Sequence, residues 1–418
     1  MNTTLKGLIM SFTKSVDLYN YLLKNHHRRT AIVAYSIGKK MDLTKQELSD
    51  LVIAAALHDI GALTVKERDE LIKMDVEDPM PHARIGCYML QSFEPFDKVS
   101  RIIYYHHWSY DKDQKWVHEV GEVPIQSYIL HVADRIEILI HTDQQILLQK
   151  NKITETIHSY KDTLFHPKVV EAFESASAHD SFWMDIDNKD MNTLLEEAIV
   201  DSFAVELTLE RLEEFAFTIS KIIDTRSEFT ISHSFGVSEV AYKIADLLEY
   251  DEVKKRKIRV AGLLHDIGKI AIPTAIIEKK GLLNVNERIE VQTHAYYSFL
   301  ILHNIEGLGE ICMWACNHHE NHEGSGYPMN LSDGLTEEMD VIAYADIYTA
   351  LSENRPYRTS LSTKKILKIL GSDFTKKHGN NVYEVIKENV EEIDQVCKDA
   401  IRDGENRYQL FEELVEKQ

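Results

Sequence analysis

Apolar residues recur at three- and four-residue spacing through most of the chain, as in AIVAYSIGKKM at 31–41 and GVSEVAYKIADLL at 236–248. That period lines them up on one face of an α-helix, so the pattern predicts an all-α protein. Eight prolines and 17 glycines in 418 residues interrupt the pattern sparsely. LVIAAAL at 51–57 and VAGLL at 260–264 are continuously apolar helical stretches. Both are far shorter than the ~20 residues needed to span a bilayer.

The pattern is written twice. Val33-Ala34-Tyr35 returns as Val240-Ala241-Tyr242, 207 positions on. A ladder of imidazoles and carboxylates returns with it. His26, His58 and Asp59 reappear as His233, His265 and Asp266 at the same offset of 207. His82, His106, His107 and Asp134 reappear as His294, His318, His319 and Asp346 at an offset of 212. One short insertion relates the copies, and the length itself favours more than one domain. Two helical bundles are expected, 1–195 and 205–418, joined by a helical linker. DSFWMDIDNKDMN at 180–192 reads as polar and turn-like. The stretch 193–224 then reads as helix, with Asp201-Ser202 able to cap a new start. The pattern leaves open whether that stretch is one helix or two.

Charge narrows the partners. The formal net charge is −21, a field that repels DNA or RNA polymers, so a phosphate-bearing ligand has to be met by local cations or metal. Four cysteines give no disulfide framework, and the amino terminus lacks the basic and apolar regions of a secretory signal. A cytoplasmic protein without a membrane segment is expected. Cys312 and Cys316, four apart in ICMWAC, read as one face of a buried helix rather than as zinc ligands.

Imidazole and carboxylate are the side chains that divalent transition metals favour, and seven recurring in order point to metal chemistry. Adjacent His and Asp at a helix end point about 100° apart, so both can approach metal and the carboxylate can bridge two ions.

The strings HDIGKIAIP (265–273) and HHENHEGSGYP (318–328) resemble the HD superfamily of metal-dependent phosphohydrolases, and more closely its HD-GYP branch of bacterial cyclic-dinucleotide phosphodiesterases. The resemblance covers about 210–400 well, and 20–140 only through the HD ligands. It implies one metal held by His233, His265, Asp266 and Asp346, and a second held by Asp266, His294, His318 and His319. The implied ions are divalent transition metals, with Fe or Mn favoured and Zn, Ni and Co open. It also implies Lys269 as a catalytic cation, and Lys269, Arg355 and Arg358 as contacts for substrate phosphates. The loop carrying Gly324, Gly326, Tyr327 and Pro328 is implied to be structural or partner-facing.

Two departures stand out. Glu323 occupies the family's usual Asp position, and Phe229, beside Glu228, stands where some members carry a Glu for a third metal, so a binuclear site is expected. The implied reaction opens a 3',5'-cyclic dinucleotide, cyclic di-GMP or cyclic GMP-AMP, to the linear form and onward to mononucleotides. Competing readings are a cyclic-dinucleotide or redox sensor without turnover, and a di-iron oxygenase. A homodimer or a signalling partner fits each of them.

The first copy keeps all seven ligand types, His26, His58, Asp59, His82, His106, His107 and Asp134, but not the accessory groups. Ala62 replaces the lysine, HHWSYDKD replaces the glycine-rich loop, and Asp143 and Ile146 stand where arginines would be. A regulatory metal domain, a metal-free scaffold and an enzyme of other specificity all remain open for it.

Overall fold

The computed structural model describes residues 3–16, 25–62, 80–111, 122–188, 191–199, 206–227, 231–354 and 358–416. Among the described residues the regular elements are helices, and Lys161 and Phe165 form an isolated bridge. The chain divides into two compact units, Thr4–Val205 and Glu206–Gln418, the second including residues 1–3. No described helix is long and apolar enough to cross a membrane.

The first unit contains α1 (Leu5–Val16), α2 (His26–Lys40), α3 (Lys45–Leu57), α4 (Met80–Leu90), α5 (Asp97–Tyr104) and α6 (Ile125–Ile138). It continues with α7 (Lys150–Ser159), α8 (Pro167–Ser177), α9 (Asp180–Ile186) and α10 (Met191–Ala198). Helix α2 is the hub, packed against α3, α6 and α8. The second unit contains α11 (Leu209–Asp224), α12 (His233–Leu247), α13 (Glu252–Leu264), α14 (Val285–Leu302), α15 (Gly309–Cys316), α16 (Glu337–Ser352), α17 (Thr363–Ile369), α18 (Asn380–Glu388) and α19 (Val390–Glu416). Here α12 is the hub, against α13, α16 and α19.

The helix boundaries repeat at the offsets of the ligand ladder. Helices α2 and α3 start and stop 207 positions before α12 and α13, and α5 lies 212 before α15. Local chemistry explains why. Thr44 caps α3 in a reciprocal capping box with Glu47, and Asp251, its counterpart, caps α13 by accepting from Lys254 N–H at 2.9 Å. Both satisfy amides that the first helical turn leaves without a partner. Val33, Ala34, Val240 and Ala241 are wholly buried, as are Leu51, Ile53, Ala54 and Ala55 along α3. A helix apolar on every side is stable only inside a bundle. The sequence HD follows a continuously apolar helix end in each unit, LVIAAAL or VAGLL, and this brings polar side chains into an otherwise apolar core.

One expectation along the connecting stretch needs correction, and one open alternative is decided. DSFWMDI is helix α9, not a turn, because Phe182, Trp183 and Ile186 are buried and Trp183 Nε1 donates to Ser177 O at 2.9 Å. The helical stretch at 193–224 is two helices, α10 and α11, and the cap of α11 is Thr208, which accepts from Arg211 N–H. Asp201, Ser202, Glu228, Phe229 and Arg355 lie outside the described residues.

Candidate metal centres

In the second unit five helices deliver the ladder to one point. His233 opens α12, His265 and Asp266 follow α13, His294 sits within α14, His318 and His319 follow α15, and Asp346 lies on α16. Asp266 is central. Its Oδ2 is 3.0 Å from His265 Nε2 and 3.8 Å from His233 Nε2, while Oδ1 is 3.3 Å from His294 Nε2. Asp346 Oδ1 lies 3.1 Å from His233 Nε2, and the ligand atoms of His265, His318 and Asp346 converge, as do those of His294, His318 and His319. All seven residues expected from the sequence are therefore brought together.

The imidazoles are oriented for a metal. Nδ1 of His265, His294 and His318 bonds to the carbonyl three residues back, Gly262, Val291 and Ala315, at 2.8, 2.6 and 2.6 Å. This fixes the tautomer with the Nε2 lone pair pointing away from the helix, the usual support of a ligating histidine. Those three Nε2 atoms are buried and make no well-aligned hydrogen bond, the Asp266 oxygens beside two of them notwithstanding, a costly arrangement unless another group meets them. Burial, with the neighbouring His265, pushes His318 down to about 3, and burial likewise lowers His294 and His319. Neutral imidazoles are the form that binds metal. Burial opposes ionisation of Asp266, yet His265 and Lys269 beside it hold its carboxyl well below the usual range. The donor set therefore fits divalent metal.

The accessory residues divide. Lys269, on the short turn Ile267–Ala271, places Nζ on Asp266 Oδ2. That turn is anchored by Arg226, which sequence reasoning missed: its guanidinium donates to Lys269 O, to Ile272 O at 2.8 Å and to Thr274 Oγ1 at 3.1 Å. Gly268 is obligatory here, since a Cβ would sit 2.0 Å from His294 O and 2.4 Å from Ser298 N. Gly61 in the first unit meets the same constraint, 2.1 Å from His82 O.

The loop after His319 is built by buried Glu320, which accepts from Met329 N–H at 2.6 Å and Leu331 N–H at 2.9 Å. Its Tyr327 ring lies 4.6 Å from the His319 ring. Glu323, the departure noted above, is exposed and donates its N–H to Asn321 Oδ1. Arg358 donates to the carbonyls of Ala350 at 2.6 Å and Leu351 at 3.0 Å, capping the end of α16. Cys312 and Cys316 are buried on α15.

The first unit assembles its ladder equally closely. His82 Nε2 is 3.3 Å from His106 Nε2, 3.2 Å from His107 Nε2 and 3.6 Å from Asp59 Oδ1. His26 Nε2 and His58 Nε2 are 3.3 Å apart, and each lies 3.5 to 3.6 Å from Asp134 Oδ1. Two neighbours were not foreseen. Buried Arg135 donates to Asp134 Oδ2 through Nη2 at 2.6 Å and Nε at 3.1 Å. His27 joins His26, His58 and Asp59 in one cluster of possible ligand atoms.

Comparison with known proteins agrees with this duplication. HD domain models match residues 23–139 and 218–379. A 3'3'-cGAMP-specific phosphodiesterase 1 of Vibrio cholerae is 25% identical over 411 residues, covering 94% of both chains. A cyclic di-GMP phosphodiesterase of Thermotoga maritima is 31% identical over 226 residues, covering 50% of this chain and 59% of its own. The crystal structure of a cyclic GMP-AMP-specific phosphodiesterase of V. cholerae aligns with a TM-score of 0.64 at 22% identity, over 94% of this chain and 98% of that one.

Proposed function

We propose that this chain, which belongs to the HD family through both of its halves, is a metal-dependent phosphodiesterase whose second half opens a 3',5'-cyclic dinucleotide to its linear form. The observation that carries the reading is Asp266, whose two oxygens face two groups of imidazoles while Lys269 stands beside it. We assign one ion to His233, His265, Asp266 and Asp346, and a second to Asp266, His294, His318 and His319, with Fe or Mn favoured.

Bound divalent ions would supply a hydroxide near neutral pH and Lewis-acid stabilisation of the phosphodiester. The chain's own residues do the rest. Carbonyl bonds to Nδ1 hold the imidazoles in one tautomer and one orientation. Lys269, only partly exposed, brings a positive charge to the edge of the centre, where it offsets charge growing on the nonbridging phosphate oxygens. In a chain of net charge −21 such local cations are needed to hold a substrate with two phosphates. Arg355 and Arg358, following α16, are assigned to the same phosphates. Arg358 would then keep its backbone anchor and offer its remaining donors. The leaving group is a ribose 3'-oxygen.

Full-length similarity to a 3'3'-cGAMP-specific enzyme favours cyclic GMP-AMP over cyclic di-GMP, since the cyclic di-GMP enzyme of T. maritima matches about half of this chain. A cytoplasmic location accords with the four free cysteines. Incubating the purified chain with Mn²⁺ or Fe²⁺ and each dinucleotide, and resolving the products by chromatography, tests the reading. Linearisation of either supports the reaction, and faster cleavage of cyclic GMP-AMP supports the substrate.

A further inference from the structure

Helix α14 (Val285–Leu302) has two apolar sides. His294, Ala295, Ser298, Ile301 and Leu302 are buried and form its inner side. Val285, Ile289, Tyr296 and Leu300 are exposed, as is Leu282 just before the helix. At 100° per residue the four exposed helical side chains fall within an arc of about 60°, centred about 150° round the helix from His294. They make one stripe on the outer side, open to solvent. A helix that is apolar on opposite sides is expected to be buried on both.

The five side chains are between 36% and 85% exposed. Together they present roughly 500 Å² of apolar surface, towards the upper end for the largest patch on a monomeric soluble protein. Two such patches set face to face bury about 1,000 Å², the level at which a specific interface begins.

The spacing of the stripe identifies the occupant as a second copy of this chain. About the midpoint between Gln292 and Thr293, Ile289 and Tyr296 lie equally far to either side, and so do Val285 and Leu300. A two-fold axis through that midpoint sets α14 antiparallel to its copy, with Val285 against the partner's Leu300 and Ile289 against the partner's Tyr296. This is the self-complementarity that an isologous dimer requires. An unrelated protein or a membrane surface imposes no such symmetry. Charge does not oppose the pairing, because no charged residue lies in the stripe, although the chain carries a net charge of −21. Exposed Arg288 and Glu290 lie on opposite flanks, about 90° and 110° from the centre of the stripe.

We propose that the protein forms a two-fold dimer through the outer side of α14, packed antiparallel against the same helix of a second copy. The inner side of that helix carries His294, so the two second-half centres lie back to back, each one helix's width from the seam.

Sedimentation equilibrium of the full-length chain tests this. A dimer is expected, and Ile289→Glu and Tyr296→Glu should each weaken it about 10-fold or more, because each drives a carboxylate into the apolar seam. Val253→Glu, at an exposed apolar position on α13 outside the stripe, should leave the dimer intact. Circular dichroism shows that these surface variants keep their helices. Orientation is read by cross-linking with a short bismaleimide in a Cys87→Ser background, since the other three native thiols are buried. A chain carrying both Val285→Cys and Leu300→Cys should give covalent dimer, and a chain carrying Val285→Cys alone should not. The proposal is overturned by a parent chain that sediments as a monomer, including one that binds phosphatidylglycerol vesicles or another protein instead. It is also overturned by a dimer that both glutamate variants leave unchanged, or by cross-linking through Val285→Cys alone, the mark of parallel pairing. None of these readouts involves hydrolysis, so their outcome is separate from that of the phosphodiesterase reading.

Discussion

Glu353 accepts a hydrogen bond from Nδ1 of His233 across 3.2 Å, inside the core, seven residues after Asp346. In the first unit Glu137, only three residues after Asp134, does the same for His26, and is itself held by Arg29. Each copy thus supports its first imidazole with a carboxylate that follows the last ladder residue, Glu137 within α6 and Glu353 just past the end of α16. A carboxylate behind a ligating imidazole sets its orientation and raises its basicity. Glu353→Gln should therefore weaken metal binding by about 10- to 100-fold with little change in fold, as measured by competition with a chromophoric chelator.

Lys269→Ala removes the cation beside Asp266 without removing a ligand. Metal content should be unchanged while kcat falls about 10²- to 10³-fold, the usual loss for a donor aimed at transition-state charge. Parallel metal analysis and steady-state kinetics check this. A loss of metal in step with activity would assign Lys269 to the centre's integrity instead.

Gly268→Ala places a methyl group against the backbone of α14, which cannot yield as a flexible side chain can. A loss of about 1–3 kcal/mol or more is expected in urea unfolding. Gly309→Ala is the matched control, since its Cβ would meet nothing within 4 Å. At the start of α15 it should be neutral or slightly stabilising.

Asp340 ties three segments together, accepting from Gly379 N–H at 2.9 Å, His378 Nδ1 at 3.2 Å and His322 Nε2 at 3.4 Å. Burial alone would raise its carboxyl, but the bonds from His378 and Gly379 outweigh burial and lower it. A pKa lower in the folded than in the unfolded chain gives stability that is complete above about pH 4 and lost as pH falls through the folded value. Asp340→Asn should cost about 1 kcal/mol at pH 7, and the gap to the parent should close below about pH 4. Chemical denaturation at several pH values measures it.

The repeat made much of the architecture legible. Helix boundaries follow ligand offsets because caps such as Thr44 and Asp251 recur with the apolar period they precede. The convergence of the seven second-half candidate ligands was legible for the same reason: metal chemistry restricts residue type, and duplication reveals the spacing. What supports them was not. Glu137 and Glu353 occupy positions that the 212-residue offset does not align, and Arg226 lies in no motif, although it anchors the turn carrying Lys269. His27 was hidden beside His26, because adjacency gives no hint that both rings turn to one point. Arg135 was hidden because the second copy, which places Ile347 at the equivalent position, offers nothing to compare with it. The turn-like reading failed over 180–186 because polar residues on the outer face of α9 outnumber the few aromatic residues that bury it.

The most direct measurement is turnover of 3'3'-cyclic GMP-AMP by the purified full chain with Mn²⁺ or Fe²⁺, compared with Asp266→Ala and Asp59→Ala. Hydrolysis to the linear dinucleotide should be abolished by Asp266→Ala and should survive Asp59→Ala, because the proposed reaction is assigned to the second centre alone. Turnover that persists without Asp266, or a metal-loaded parent chain that cleaves neither cyclic GMP-AMP nor cyclic di-GMP, would contradict the account.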